Sequence, residues 1–223
     1  MKDDNGKEIL KQSIELAYKE YAEEPMASFY EHPVIGIPSR FRIRKIARCL
    51  EQVRGRVLEV GCEAGYVCRY LSNTIKSDIF GLDPCFPALL DFKTKGDFPD
   101  ERVCICSSIA QEICFQSGTF DAVICTEVLE HTPGIDGIFA EISRVLKNEG
   151  IFILTLPYER LRKKLYPIIK HFGINTDVEK EVNLFNYERE VIEEKLGLTF
   201  SIGHFSPIFR FFPITYFYYC KKK

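Results

Sequence analysis

Hydrophobic positions in this chain follow two rhythms, and the change falls near residue 54. Before it, apolar residues recur at helical spacing. Over 7–21 (KEILKQSIELAYKEY), Ile9, Leu10, Ile14, Leu16, Ala17 and Tyr21 predict a first helix. The stretch YEHPVIGIPS, with two prolines and a glycine, interrupts it. A second helix is expected from about Arg40 to Val53, with Ile43, Ile46, Ala47 and Leu50 on one face and a basic face opposite.

After residue 54, short apolar runs alternate with amphipathic segments. The runs RVLEVG (56–61), SDIFGLD (77–83), RVCICSS (102–108), DAVICTE (121–127) and GIFILTLP (150–157) read as strands buried on both faces. Helical patterns lie between them at about 65–75, 86–95 and 134–147. In the last, Ile135, Ile138, Phe139, Ile142, Val145 and Leu146 form one stripe. A charged connection follows over 158–185, with a helix expected at 159–172 and another at 187–196. LTFSIGHF and ITYFYYC then read as two strands joined by a proline-containing loop, too close to pair other than antiparallel. The expected fold is α/β: a Rossmann-like, doubly wound seven-stranded sheet, mostly parallel with one antiparallel strand near the C-terminus. The expected division is an N-terminal helical cap at 1–53 and a Rossmann-like domain at 54–223, with a substrate-side insert at about 158–185.

Composition narrows the class. At 223 residues, 46% hydrophobic, with a formal net charge of −2, the chain suits one globular domain and gives no reason to expect nucleic acid. The start, MKDDNGKEIL, is no secretory signal, and FSPIFRFFPITYFYYC is broken as a membrane span by Pro207, Arg210 and Pro213. Nine cysteines, odd in number and without a Cys-x-x-Cys pair, read as small buried hydrophobes in a reducing, cytoplasmic setting.

Ligands of such sheets sit beyond the carboxyl ends of the strands. Those ends carry Glu59-Val60-Gly61-Cys62-Glu63-Ala64-Gly65, Asp83, Ser107-Ser108, Thr126-Glu127 and Pro157. Two acidic groups at the first two ends point to a ligand with hydroxyls, such as a nucleoside. A dinucleotide fingerprint would need glycines at 61, 63 and 66, and only Gly61 fits. The pattern acidic-x-Gly-x-Gly-x-Gly fits at Glu59, Gly61 and Gly65 and fails at Glu63.

With that loop, the chain resembles the class I S-adenosylmethionine-dependent methyltransferases of the type 11/12 kind. VLEVGCEAGYVCRYL, GLD, SGTFDAVICTEVLEH and EISRVLKNEGIFILTLP follow the order and spacing of that family over about 56–157. Residues 1–39 and 158–182 carry no part of the resemblance. The resemblance implies that Gly61, Cys62 and Gly65 line the methionine part of S-adenosylmethionine, with Glu59 and Thr126 near it. It implies that Asp83 holds the ribose hydroxyls and Pro84 flanks the adenine. Ser108 and Ile109 stand where the family often places an acid for the adenine amino group, and Ile109 cannot play that part.

The fourth strand runs on into Glu127-Val128-Leu129-Glu130-His131, an element similar to one in ubiquinone-biosynthesis O-methyltransferases and small-RNA 2′-O-methyltransferases. On a helical turn, Glu127, Glu130 and His131 would share a face. The resemblance implies either a divalent cation such as Mg held by these three, or His131 as a general base positioned by a carboxylate. In other members of the class the same string only positions the loop. His171 and His204 are further candidate ligands. The ubiquinone-type enzymes also imply an arginine against the cofactor carboxylate, and Arg42 or Arg44 matches it. The aromatic tail, from Phe205 to Tyr219, reads as strand and core, with Lys221 to Lys223 suited to peripheral membrane contact.

The expected function is methyl transfer to an O or N atom of a small-molecule acceptor. The alternatives are an NAD(P)-dependent oxidoreductase and a noncatalytic cofactor-binding protein.

Overall fold

The computed structural model describes residues 4–23, 30–95, 102–171, 177, 181, 183–209 and 214–223. The helices are α1 (Asp4–Glu23), α2 (Ile37–Leu50), α3 (Tyr66–Thr74), α4 (Phe86–Lys95), α5 (Ile135–Val145), α6 (Glu159–His171) and α7 (Arg189–Thr199). The strands are β1 (Arg56–Val60), β2 (Asp78–Asp83), β3 (Val103–Ser107), β4 (Phe120–Thr126), β5 (Leu146–Pro157), β6 (Phe200–Pro207) and β7 (Thr215–Lys222). Phe211 and Phe212 of the tail, and most of 172–182 in the expected insert, lie outside the described residues.

All seven strands form one sheet in the order β3-β2-β1-β4-β5-β7-β6. β1 to β5 pair parallel, and β7 is antiparallel to both β5 and β6. The expected single antiparallel strand is therefore β7. Chain order reverses between β1 and β4, which opens a crevice at their carboxyl ends.

Alternation along the strands divides the core into two layers. Leu58 and Val60 of β1, with Val123 and Cys125 of β4, join the α5 and α7 side, where Ile138, Ile142 and Leu196 are fully buried. Val57, Ala122 and Ile124 join the α2 and α3 side with Ile43, Ile46, Leu50 and Leu71. Each fully buried side chain of this size stabilises the fold by about 2 kcal/mol.

Helix α2 starts at Ile37, earlier than Arg40, because Pro38 fits a first helical turn that lacks an internal N–H partner. The Arg40 guanidinium then ties down the preceding turn, donating to the carbonyls of Tyr30 (2.8 Å), His32 (2.9 Å) and Pro33 (2.6 Å).

The cysteines need one correction. Cys62, Cys68, Cys85, Cys125 and Cys220 are buried and free as expected, but Cys104 is exposed, and Cys106 and Cys114 lie side by side. The chain reverses where Ile109 bridges Glu112, and this brings Cys114 back beside the end of β3. Among the described residues no helix is long and apolar enough to cross a membrane.

Candidate active site

One cavity occupies the crevice. It is lined by the β1 end and its loop (Glu59, Gly61, Cys62, Glu63), by Asp83 and Pro84, by Ile109 to Gln111, and by Thr126 to Val128 with Glu130 and His131. Its cover includes Leu10, Ile14, Ala17 and Tyr21 of α1, Tyr30, Tyr66, Arg162 of α6, and Asn183.

The glycine loop has an internal logic. Gly61 (φ 77°), Glu63 (φ 44°) and Gly65 (φ 76°) are all left-handed, so every second residue turns the chain in the direction that favours glycine. Two of these positions also lack room for a side chain. A Cβ on Gly61 would lie 2.3 Å from Val128, and one on Gly65 would lie 2.4 Å from the Phe92 ring. Glu63 meets only the first demand, so a non-glycine residue is accommodated there with backbone strain. Its amide has a specific task. The Glu63 N–H donates to Asp83 Oδ2 at 2.9 Å, and the Cys85 N–H donates to Oδ1 at 2.8 Å.

Asp83 is thereby fixed at the lip of the cavity with one amide on each oxygen. A carboxylate oxygen accepts two hydrogen bonds, so each oxygen keeps one acceptor position. Burial pushes the Asp83 carboxyl up to about 6, against the two amides, which favour the charge. Glu59 is buried deeper, at 2% exposure, and burial pushes it up to about 8. The Cys68 thiol donates to it at 2.9 Å.

Two expected cofactor residues do not line the cavity. Gly65 instead caps the start of α3, where its amide donates to the Cys62 carbonyl at 2.7 Å. The Ser108 hydroxyl turns away to the Glu112 carbonyl, while its N–H donates to the Asp83 carbonyl at 3.3 Å. Ile109 lines the wall without a polar side chain. Beyond it, Gln111 donates its amide to Thr132 Oγ1 (2.8 Å) and the Pro133 carbonyl (2.7 Å), locking this loop to the one after β4.

The expected shared face of Glu127, Glu130 and His131 is not formed. The segment is a turn rather than a helix, because Glu127 itself is left-handed at φ 56°. The Glu127 carboxylate points to two guanidiniums, Arg42 Nη1 at 3.1 Å from Oε1 and Arg162 Nη1 at 2.7 Å from Oε2. Thr155 Oγ1 also donates to it, at 3.4 Å. Glu130 is 3% exposed, is raised in pKa by burial, and lies 3.9 Å from His131 Nε2. Among the described residues no group of three His, Cys, Asp or Glu side chains is arranged to hold a metal ion. His171 and His204 are exposed on α6 and β6, away from the cavity wall.

The basic helix also needs correcting. Arg44 is exposed, and Arg42 is 4% exposed within the core face of α2. Neither lines the cavity. Burial works against the Arg42 charge, but Tyr30 and Glu127 outweigh it and hold the guanidinium above its ordinary value. The burial was readable, since 42, 43, 46, 47 and 50 share one helical phase. Arg162, Tyr30 and Asn183 carried no local signal.

Residues 58–154 match the family model described as a methyltransferase domain. Over 121 residues the chain is 32% identical to the ubiquinone biosynthesis O-methyltransferase of Xanthomonas axonopodis, covering 52% of this chain and 48% of that one. Over 100 residues it is 30% identical to the sterol 24-C-methyltransferase of Schizosaccharomyces pombe, covering 44% of this chain and 26% of the relative. The chain thus spans about a quarter to a half of the length of these two relatives. In fold it is similar to magnesium protoporphyrin IX methyltransferase from Synechocystis with bound SAH, with TM-score 0.72, 13% identity, and 95% and 100% of the two chains covered. It is also similar to the PH0226 protein from Pyrococcus horikoshii, with TM-score 0.69, 18% identity, and 92% and 99% covered. Strand order, glycine loop and anchored aspartate accord with these matches, which give residues 58–154 as a methyltransferase domain.

Proposed function

We propose that this chain transfers a methyl group from S-adenosylmethionine to an oxygen or nitrogen atom of a small-molecule acceptor. One observation carries the reading. Asp83 is anchored by the Glu63 and Cys85 amides at the lip of the crevice, with one acceptor position left on each oxygen, which suits two adjacent ribose hydroxyls. When bound, the cofactor supplies a sulfonium-activated methyl group.

The chain's residues then have separable tasks. Glu59, Gly61, Cys62 and Thr126 would hold the methionine end, with Gly65 acting through the turn it caps. Pro84 and Ile109 would flank the adenine, with Ser108 contributing through its backbone. His131, beside Glu130, would accept the acceptor's proton. Residues 1–53 and the 158–185 connection would form the cap that selects the acceptor and excludes water, with Leu10, Ile14 and Ala17 facing the cavity.

No step is assigned to a metal at Glu127, Glu130 and His131, because the Glu127 carboxylate is committed to two arginines. An oxidoreductase reading is disfavoured by the left-handed, non-glycine Glu63 and by Tyr66, where a dinucleotide loop needs glycines.

The test is transfer of label from methyl-tritiated S-adenosylmethionine to a pool of small-molecule acceptors, followed by His131→Ala. The reading expects labelled product, and a fall of roughly 10²-fold or more in rate with cofactor affinity unchanged. Label transfer that is indifferent to His131 would remove the base assignment. The absence of any cofactor binding would remove the function.

A further inference from the structure

The cavity has an acceptor-side wall that no local motif encodes, and its residues converge on one carboxylate. Glu127 sits at the carboxyl end of β4, and its amide donates to the Thr155 carbonyl of β5 at 3.1 Å. Its side chain receives Arg42 from α2 and Arg162 from α6, at 3.1 and 2.7 Å. Arg42 continues the chain of contacts, donating from Nη2 to the Tyr30 hydroxyl at 2.9 Å. Tyr30 stacks on Tyr66, with centroids 4.2 Å apart and planes 13° from parallel. Glu127, Arg162, Tyr30 and Tyr66 all line the cavity, and Arg42 is buried behind them.

We infer that Glu127 is a positioning residue, a two-arginine clamp that ties α6 to the buried Arg42 of α2 and so holds Arg162 in the acceptor-side wall, and not a metal ligand. Three features agree. A left-handed glutamate costs backbone energy and persists only where its surroundings hold it. Both carboxylate oxygens are taken by guanidiniums, the partners that match a carboxylate best in geometry and charge. The side chains it orders belong to three separate segments of chain, and two of those segments bring cavity-lining residues with them. Its placement as an acceptor-side wall rests on the methyltransferase reading above; the clamp itself does not.

The test uses the full chain and three variants: Glu127→Gln, Arg162→Gln and the double variant. Hydrogen exchange is followed in α2, α6 and the central strands, S-adenosylhomocysteine affinity by calorimetry, and Mn²⁺ binding by the loss of the free-ion resonance signal. In Glu127→Gln, amides of α6 should exchange at least tenfold faster while β1 and β4 stay protected. Arg162→Gln should give the same change at α6, and the double variant no more there than the larger single one, since each single variant already breaks the Glu127–Arg162 contact. S-adenosylhomocysteine affinity should move by less than threefold, a result that a general loss of structure would not give. Unchanged α6 exchange in either single variant would overturn the clamp. So would Mn²⁺ that binds the parent chain and is lost in Glu127→Gln. If Glu127→Gln does not fold, Arg162→Gln alone decides by the same α6 readout. If S-adenosylhomocysteine fails to bind even the parent, the methyltransferase reading falls while the exchange data still judge the clamp.

Discussion

The two halves of the cavity are built by different means. On the cofactor half, a strand, a turn and a helix start follow each other within a few residues. Their left-handed positions at 61 and 65 are glycines whose missing Cβ also leaves room for Val128 and Phe92. On the acceptor half, the left-handed residue is a glutamate, and ion pairs from α2 and α6 hold it there. Both halves need the same unusual backbone. One obtains it by removing a side chain, the other by giving a side chain two strong partners. Glu63 stands between these solutions: it has the backbone of the first half without its glycine, and its amide anchors Asp83.

This contrast can be broken by mutation. The largest effect is expected on the acceptor half. Glu127→Gln removes the carboxylate charge that faces two guanidiniums, one of them buried, and should destabilise the fold by about 3–4 kcal/mol in urea unfolding. Gly65→Ala forces a Cβ toward Phe92 at left-handed φ. It should cost about 2–3 kcal/mol and, unlike Glu127→Gln, should weaken S-adenosylhomocysteine binding markedly.

A third effect concerns pH. Burial raises the Asp83 carboxyl to about 6, so the free protein keeps that proton up to about pH 6 and loses this part of its stability as pH rises through that value. A ligand that bonds the ionised carboxylate works in the opposite sense. S-adenosylhomocysteine affinity should therefore fall about tenfold from pH 7 to pH 5, and Asp83→Asn should flatten the profile. The smallest effect is at Glu63. Glu63→Gly keeps the amide and relieves the strain, so it should stabilise the fold by about 1 kcal/mol and leave cofactor affinity equal or better. A loss beyond tenfold would make the Glu63 side chain a ligand.

Legibility in the sequence followed the same divide. The strands, their mostly parallel pairing and one antiparallel strand near the C-terminus were readable because each strand is a short apolar run in a βα rhythm. Glu59, Gly61, Cys62, Asp83 and Pro84, singled out on local spacing, all line the cavity. Ser108 does not line the cavity, because its hydroxyl has a nearer backbone partner in Glu112. The metal reading of Glu127, Glu130 and His131 assumed a helical turn, and the left-handed Glu127 does not form one. Arg162 was unreadable, since its partner Glu127 lies 35 residues away and not among its neighbours in sequence. The Cys106–Cys114 pair was missed for a related reason, a chain reversal at 109–112 without glycine or proline to mark it.

The central claim is that the anchored Asp83 at the switch point holds a nucleoside cofactor. Its most direct test is calorimetric titration of S-adenosylhomocysteine into the parent chain and into Asp83→Asn at pH 7.5, with fold checked by circular dichroism. The account predicts 1:1 binding to the parent and a loss of roughly 100-fold, about 2.7 kcal/mol, in a folded variant. Equal affinity in the two proteins, or no binding to the parent, would contradict it.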